Sequence, residues 1–209
     1  MRDRWRAAVY EVCRLSVLCF SGFFLRLRVY GQANVPRRGG ALLLSNHQSF
    51  LDPPLVGAPI RRHLTYMARD TLFRNPLFGA LLRALNVFPL KRGRADRASM
   101  RRAIERLRSG EIVVLFPEGT RASDGVLQPI KGGFRLLLRR SNVPVIPAAL
   151  VGAHRAWPRT RRFPRPTRVR VMYGRAIQPE ELADLSDREV ADRVAREISL
   201  LLDRLRRLP

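Results

Sequence analysis

The sequence predicts an α/β fold, one domain on a mostly parallel or mixed sheet flanked by helices, preceded by an N-terminal amphipathic, apolar anchor helix. Three observations predict it. From residue 41 onward, apolar runs of strand length alternate with segments of helical pattern. A chain of 209 residues that is 46% hydrophobic can close a sizeable core. One N-terminal stretch is uncharged at its centre and flanked by arginines.

That stretch is the first element, a helix expected over residues 5–29. Its centre, LSVLCFSGFFL (15–25), lies between Arg2, Arg4, Arg6 on one side and Arg26, Arg28 on the other. At ~1.5 Å per residue the uncharged run is about 16 Å long, half a bilayer core, so the segment reads as interfacial and not as a span. RLRVYG follows it without a small-residue cleavage pattern, so no cleaved signal peptide is expected. Cys13 and Cys19 are six positions apart, the wrong spacing for one helical face, and give no metal or redox pattern.

After the turn-rich GQANVPRRGG (31–40), strands are expected at ALLLS (41–45), LTYMA (64–68), NVFPL (86–90), EIVVLF (111–116), VPVIPAAL (143–150) and VRVMYG (169–174), with helices near 71–84, 95–109 and 130–140. Pro144 and Pro147 point to an edge or bulged strand, because proline cannot donate to a ladder. HRAWPRTRRFPRPTR (154–168) is expected to be irregular, with Trp157 and Phe163 interleaved among cations as a second membrane-surface contact or a solvated loop. A last helix opens on a capping box, Ser186 and Glu189, and carries an apolar stripe of Val190, Val194, Ile198, Leu201, Leu202 and Leu205.

The net charge is +23, and only two of the 40 basic residues, Lys91 and Lys131, are lysines. Such a surface attracts polyanions, whether nucleic acid, anionic lipid or phosphorylated substrates. The basic residues are spread along the whole chain with no nucleic-acid-binding signature, and arginines flank the apolar anchor, so no nucleic-acid partner is expected. Neither HExxH, Cys/His pairs nor a P-loop or dinucleotide glycine pattern occurs, and no metal and no cofactor are expected.

Chemistry concentrates in NHQSFLDP (46–53). His47 and Asp52 are five apart: about 140° apart on a helix and on opposite faces of a strand, so the pair can meet only through a turn. A buried strand ending at Ser45, a turn, then Asp52-Pro-Pro opening a helix supplies one, with Asp52 as N-cap and as orienter of the imidazole. Next, VFPLKRGRADR (87–97) delivers Lys91, Arg92 and Arg94 from a strand end into a loop suited to a phosphate. FPEGTR (116–121) then forms a tight turn with Glu118 and Arg121 in one loop, an acceptor and a cation for a polyol phosphate.

In this order, NHQSFLD, VFPLKR, FPEGTR and VPVIPA resemble the four motifs of the glycerolipid acyltransferase family, its 1-acylglycerol-3-phosphate acyltransferase group. The resemblance runs from about Gly31 to Gly174. It implies that His47 is the catalytic base and Asp52 its partner, that Arg92, Glu118, Gly119, Thr120 and Arg121 bind the glycerol phosphate, and that Pro147 lies beside the acyl-donor site. It also implies a membrane-interface helix at 1–30, a catalytic domain at 31–209, a lysophospholipid acceptor, and acyl-coenzyme A (acyl-CoA) or acyl-acyl-carrier protein (acyl-ACP) as co-substrate. The protein is expected at the cytoplasmic face of the cell membrane, on anionic phospholipids. Without GxSxG or a cysteine near His47, direct attack is expected over an acyl-enzyme. Alternatives are another lysophospholipid or glycerol 3-phosphate as acceptor, or, in a different class, a non-catalytic lipid-binding or nucleic-acid-binding basic protein.

Overall fold

The computed structural model describes residues 2–90, 96–122, 125–158 and 160–208. Its centre is a seven-stranded mixed sheet. The strands are β1 (Arg28–Tyr30), β2 (Ala41–Ser45), β3 (Leu64–Arg69), β4 (Val87–Leu90), β5 (Ile112–Leu115), β6 (Val145–Val151) and β7 (Arg170–Tyr173), in the spatial order β1-β7-β6-β2-β5-β3-β4. All neighbours are parallel except β6 and β7. β2 is buried along its whole length, and its neighbours on both sides run parallel to it. The carboxyl ends of β2, β5 and β6 therefore share one edge, where open α/β sheets bind ligands.

The period-two alternation of these strands divides the core into two layers. Leu42, Leu44, Val113, Val145 and Ala149 face one way, onto α4 (Arg97–Arg108), α5 (Arg135–Ser141) and α7 (Asp187–Arg207). Ala41, Leu43, Ile112, Val114, Ile146 and Leu150 face the other, onto Leu25, α2 (Asp52–Gly57) and α6 (Ala153–Ala156). The predicted stripe of α7 is buried, and its capping box is in place: the Glu189 N–H donates to the Ser186 Oγ and the Ser186 N–H to the Glu189 Oε2.

Several expectations are corrected. The N-terminal helix α1 covers Arg2–Phe24, and the last residues of the expected helix instead form β1, an edge strand paired with β7. Three strand residues continuing an apolar helical run carry no period of their own, which is why they read as helix. The helix α3 is confined to Pro76–Ala84, after a 3-10 turn at Asp70–Phe73. The loop after β6 opens with the single turn of α6, while Phe163 is 70% exposed.

β6 is an interior strand and not an edge, and Pro147 pairs with Leu44. The missing N–H of Pro147 faces β7 where the antiparallel ladder breaks, between the Ala148–Tyr173 pair and the isolated Val145–Ile177 bridge. There its carbonyl accepts from the Gly174 N–H at 2.8 Å, and no donor is wasted.

α1 lies along the α2–β3 side of the domain. Its Tyr10 hydroxyl accepts from the Leu64 N–H at 3.0 Å, Arg14 donates to the Ala58 carbonyl, and Tyr10, Ser21 and Leu25 are buried on that side. The opposite side shows Trp5, Val12, Leu15, Phe20 and Phe23, the last 91% exposed. By length and composition Arg4–Phe24 is also apolar enough to cross a membrane, because the helix takes in more apolar residues than its uncharged centre. α3 packs against α1 and exposes Leu77, Phe78 and Leu81.

Candidate active site

The dyad forms through the predicted turn. Asp52 is the first residue of α2, with Leu51 in the N-cap position, so its carboxylate is not a helix cap. It turns back instead. Its Oδ2 accepts from the backbone N–H groups of Gln48 and Ser49 and lies 2.7 Å from His47 Nδ1. Asp52 is fully buried and the His47 side chain is 16% exposed. An oxygen that already accepts two N–H groups takes the proton of a third donor, so Nδ1 carries the hydrogen and Nε2 presents its lone pair. Nε2 has no hydrogen-bond partner among the described residues.

The rest of the turn is fastened to its neighbours. Asn46 extends the β2–β6 pairing by one step, its Oδ1 accepting from the Leu150 N–H and its Nδ2 donating to the Leu150 carbonyl, at 2.8 and 3.0 Å. Ser49 Oγ donates to the Trp157 carbonyl and Gln48 Nε2 to that of Gly125. On the other side of α2, the buried Tyr173 hydroxyl donates to the Val56 carbonyl. At Gly57, any Cβ would overlap the Tyr66 hydroxyl of β3, so only glycine lets α2 pack this closely.

β5 brings the second turn to the same edge. Phe116 stacks on the His47 ring with centroids 4.3 Å apart and planes at 25°. Glu118, 2% exposed, has both oxygens committed to backbone: Oε1 accepts from the His47 N–H and Oε2 from the Gln128 N–H. Burial pushes its carboxyl above the usual carboxylate range, against the pull of those two hydrogen bonds. The Ala122 N–H returns the connection by donating to the His47 carbonyl at 2.8 Å. Gly119 sits at φ 73°, which closes the turn. Thr120 is exposed, and the Arg121 guanidinium lies 3.5 Å over the Phe50 ring, itself tilted against Trp157.

The fold thus brings His47, Asp52, Glu118, Gly119, Thr120 and Arg121 to one end of the sheet. Both oxygens of Glu118 brace the two turns through backbone N–H groups. Pro147 is not brought there: it is buried within β6, against Gly174 and near Leu201 of α7. Arg92 lies outside the described residues. Sequence reasoning missed Phe116, whose signal was an aromatic at a strand's carboxyl end, and Gln128, which contributes only a backbone N–H and left none.

A buried Asp holding a histidine at the carboxyl edge of a mostly parallel sheet is an arrangement suited to acyl transfer or to hydrolysis. Comparison with known proteins selects the first: the Acyltransferase family model matches residues 26–151, more than half of the chain, and the chain belongs to that family. A 1-acyl-sn-glycerol-3-phosphate acyltransferase of Bacillus subtilis (strain 168) is 30% identical over 145 residues, 69% of this chain and 72% of that one. The chloroplastic 1-acyl-sn-glycerol-3-phosphate acyltransferase BAT2 of Brassica napus is 32% identical over 138 residues, but the match spans only 40% of its length. The crystal structure of PlsC from Thermotoga maritima, a 1-acyl-sn-glycerophosphate (LPA) acyltransferase, superposes with a TM-score of 0.86 at 27% identity, over 100% of this chain and 84% of that one.

Proposed function

We propose that this acyltransferase moves a fatty acyl group from acyl-CoA or acyl-ACP to the free hydroxyl of lysophosphatidic acid, giving phosphatidic acid. The observation that carries the reading is the His47–Asp52 pair with Nε2 unengaged, in a chain whose relatives bear that activity in their names. Neutral His47 accepts the hydroxyl proton as the oxygen attacks the thioester carbonyl; the C–O bond forms, the C–S bond breaks, and the thiolate leaves and takes up a proton. Asp52 holds the ring tautomer and stabilises the imidazolium. Arg121, with Arg92, holds the acceptor's phosphate and so aims its hydroxyl at the base.

The same reading divides the chain into an interfacial helix at 1–30 and a catalytic domain at 31–209, working at the cytoplasmic face of the membrane. The exposed apolar sides of α1 and α3 support lipid contact, and the arginines at the ends of α1 suit anionic headgroups. Burying Phe23 in lipid is worth about 2 kcal/mol, so Phe23→Asp should weaken vesicle partitioning roughly tenfold or more while turnover in detergent stays normal. The test of the reaction is thiol release from a long-chain acyl-CoA or acyl-ACP with and without lysophosphatidic acid, with phosphatidic acid quantified. Release that depends on the acceptor and matches product supports the reading; acceptor-independent release, or none with either donor, sinks it.

A further inference from the structure

Of the 40 basic residues, the five in segments 91–96 and 116–131 include both lysines, and the other 35 are all arginine. A chain that otherwise uses arginine for every positive charge has one of its two lysines, Lys131, in the connection after β5, whose carboxyl end lies at the edge that carries the dyad. An ammonium differs from a guanidinium in being a compact point charge with no planar fork, so a position holding lysine in this background is one where compactness matters.

Lys131 is the described member of the pair. Its stem lies flat on Gly119: a Cβ built there would stand 3.4 Å from Lys131 Cδ, 3.5 Å from Cε and 3.2 Å from Nζ. The left-handed glycine thus does more than close the turn, since it leaves the strip of space that the lysine occupies. The Lys131 N–H donates to the Pro117 carbonyl at 3.0 Å. Three residues earlier the Gln128 N–H donates to Glu118, whose other oxygen holds the His47 N–H. Lys131 is therefore tied by backbone hydrogen bonds to the turn that fixes the base. Its ammonium is exposed and makes no ion pair or hydrogen bond among the described residues. A positive charge tied to the turn that braces His47, without an ion-pair partner among the described residues, is a charge presented to a ligand.

We infer that Lys131 is a phosphate-binding residue of the site, its ammonium pairing with a phosphate monoester of a substrate across the face of Gly119. The inference rests on the acyl-transfer reading and adds to it a cation that the four motifs do not include. The phosphate has two sources with the same chemistry, the acceptor headgroup and the phosphates of a coenzyme A donor.

The test uses ligand pairs that differ in phosphate. Calorimetry on the full-length His47→Ala protein, which binds without turnover, compares lysophosphatidic acid with 1-monoacylglycerol in mixed micelles, and long-chain acyl-CoA with the corresponding acyl-pantetheine. Adding Lys131→Met should weaken lysophosphatidic acid tenfold or more and leave monoacylglycerol within twofold; Lys131→Arg should restore only part of the loss. The same loss for acyl-CoA in place of lysophosphatidic acid would assign the ammonium to the donor. Unchanged affinity for both phosphorylated ligands, or equal weakening of the phosphate-free ones, overturns the inference. Turnover of the wild-type protein with lysophosphatidic acid, measured in parallel, decides the acceptor separately: if it fails while a Lys131-dependent preference for phosphate persists, the acceptor reading falls and the site stands. Lys131 is exposed, so the variants should fold, with urea midpoints near wild type.

Discussion

The turns after β2 and β5 meet at one edge of the sheet, each contains one buried carboxylate among the described residues, and the two use it in opposite ways. Asp52 serves its own turn. One oxygen gathers two backbone N–H groups from within four residues and the imidazole of His47. Glu118 serves its neighbours, one oxygen on the His47 N–H 71 residues away in sequence and the other on the Gln128 N–H. The first arrangement sets the electronic state of a ring; the second sets where the backbone that bears the ring lies. The dyad's geometry therefore depends on a carboxylate that need not touch substrate, and this separates residues that sequence motifs group together.

The comparison is sharpened by breaking each carboxylate in turn. The largest effect belongs to the proposed base: His47→Ala should lower kcat by about 10²–10⁴-fold or more with little change in urea midpoint, since a general base contributes on that order. Asp52→Asn should follow within about tenfold, read by steady-state kinetics, because the amide cannot hold the same tautomer. Glu118→Ala should act first on stability, costing about 2–4 kcal/mol by leaving two buried N–H groups unpaired, with kcat falling only as far as the turn relaxes. If Glu118→Ala left the urea midpoint unmoved and raised only KM, Glu118 would be a substrate ligand and the distinction would collapse. Gly119→Ala should cost about 1–2 kcal/mol from the left-handed backbone and displace Lys131, visible as a raised KM for a phosphorylated substrate.

The smallest effect is the pH dependence carried by Glu118. Its folded-state carboxyl is raised above the unfolded value near 4.5 by burial. Its contribution is then fully present below 4.5 and declines as pH rises through the raised folded value. The stability of wild type relative to Glu118→Gln, from urea titrations at several pH values, should accordingly shrink from pH 4 upward and level off once Glu118 is ionised.

Much of this was legible in the sequence because it is local. ALLLS, EIVVLF and the α7 stripe announce themselves by period and by buried runs, and a turn that lets His47 meet Asp52 follows from spacing and Asp-Pro-Pro. What was not legible depends on partners distant in sequence. The position of β6 in the interior, with Pro147 at a ladder break, is set by β2 and β7, so that of the edge and bulge readings of its prolines only the second fits. The bracing role of Glu118 was hidden because an acid in a Gly/Pro turn carries no mark of the backbone N–H groups it will meet. β1 was hidden because three residues cannot establish a period against a preceding helix.

The most direct test of the central claim, that His47 and Asp52 act as one unit in acyl transfer, is a double-mutant cycle on kcat with lysophosphatidic acid as acceptor. Wild type, His47→Ala, Asp52→Ala and the double variant are compared, each first checked for native circular dichroism. The account predicts that the double variant is no slower than His47→Ala alone, because Asp52 works only through the ring. A double variant slower by the product of the two single effects would contradict it, and would mean that Asp52 contributes to the reaction independently of His47.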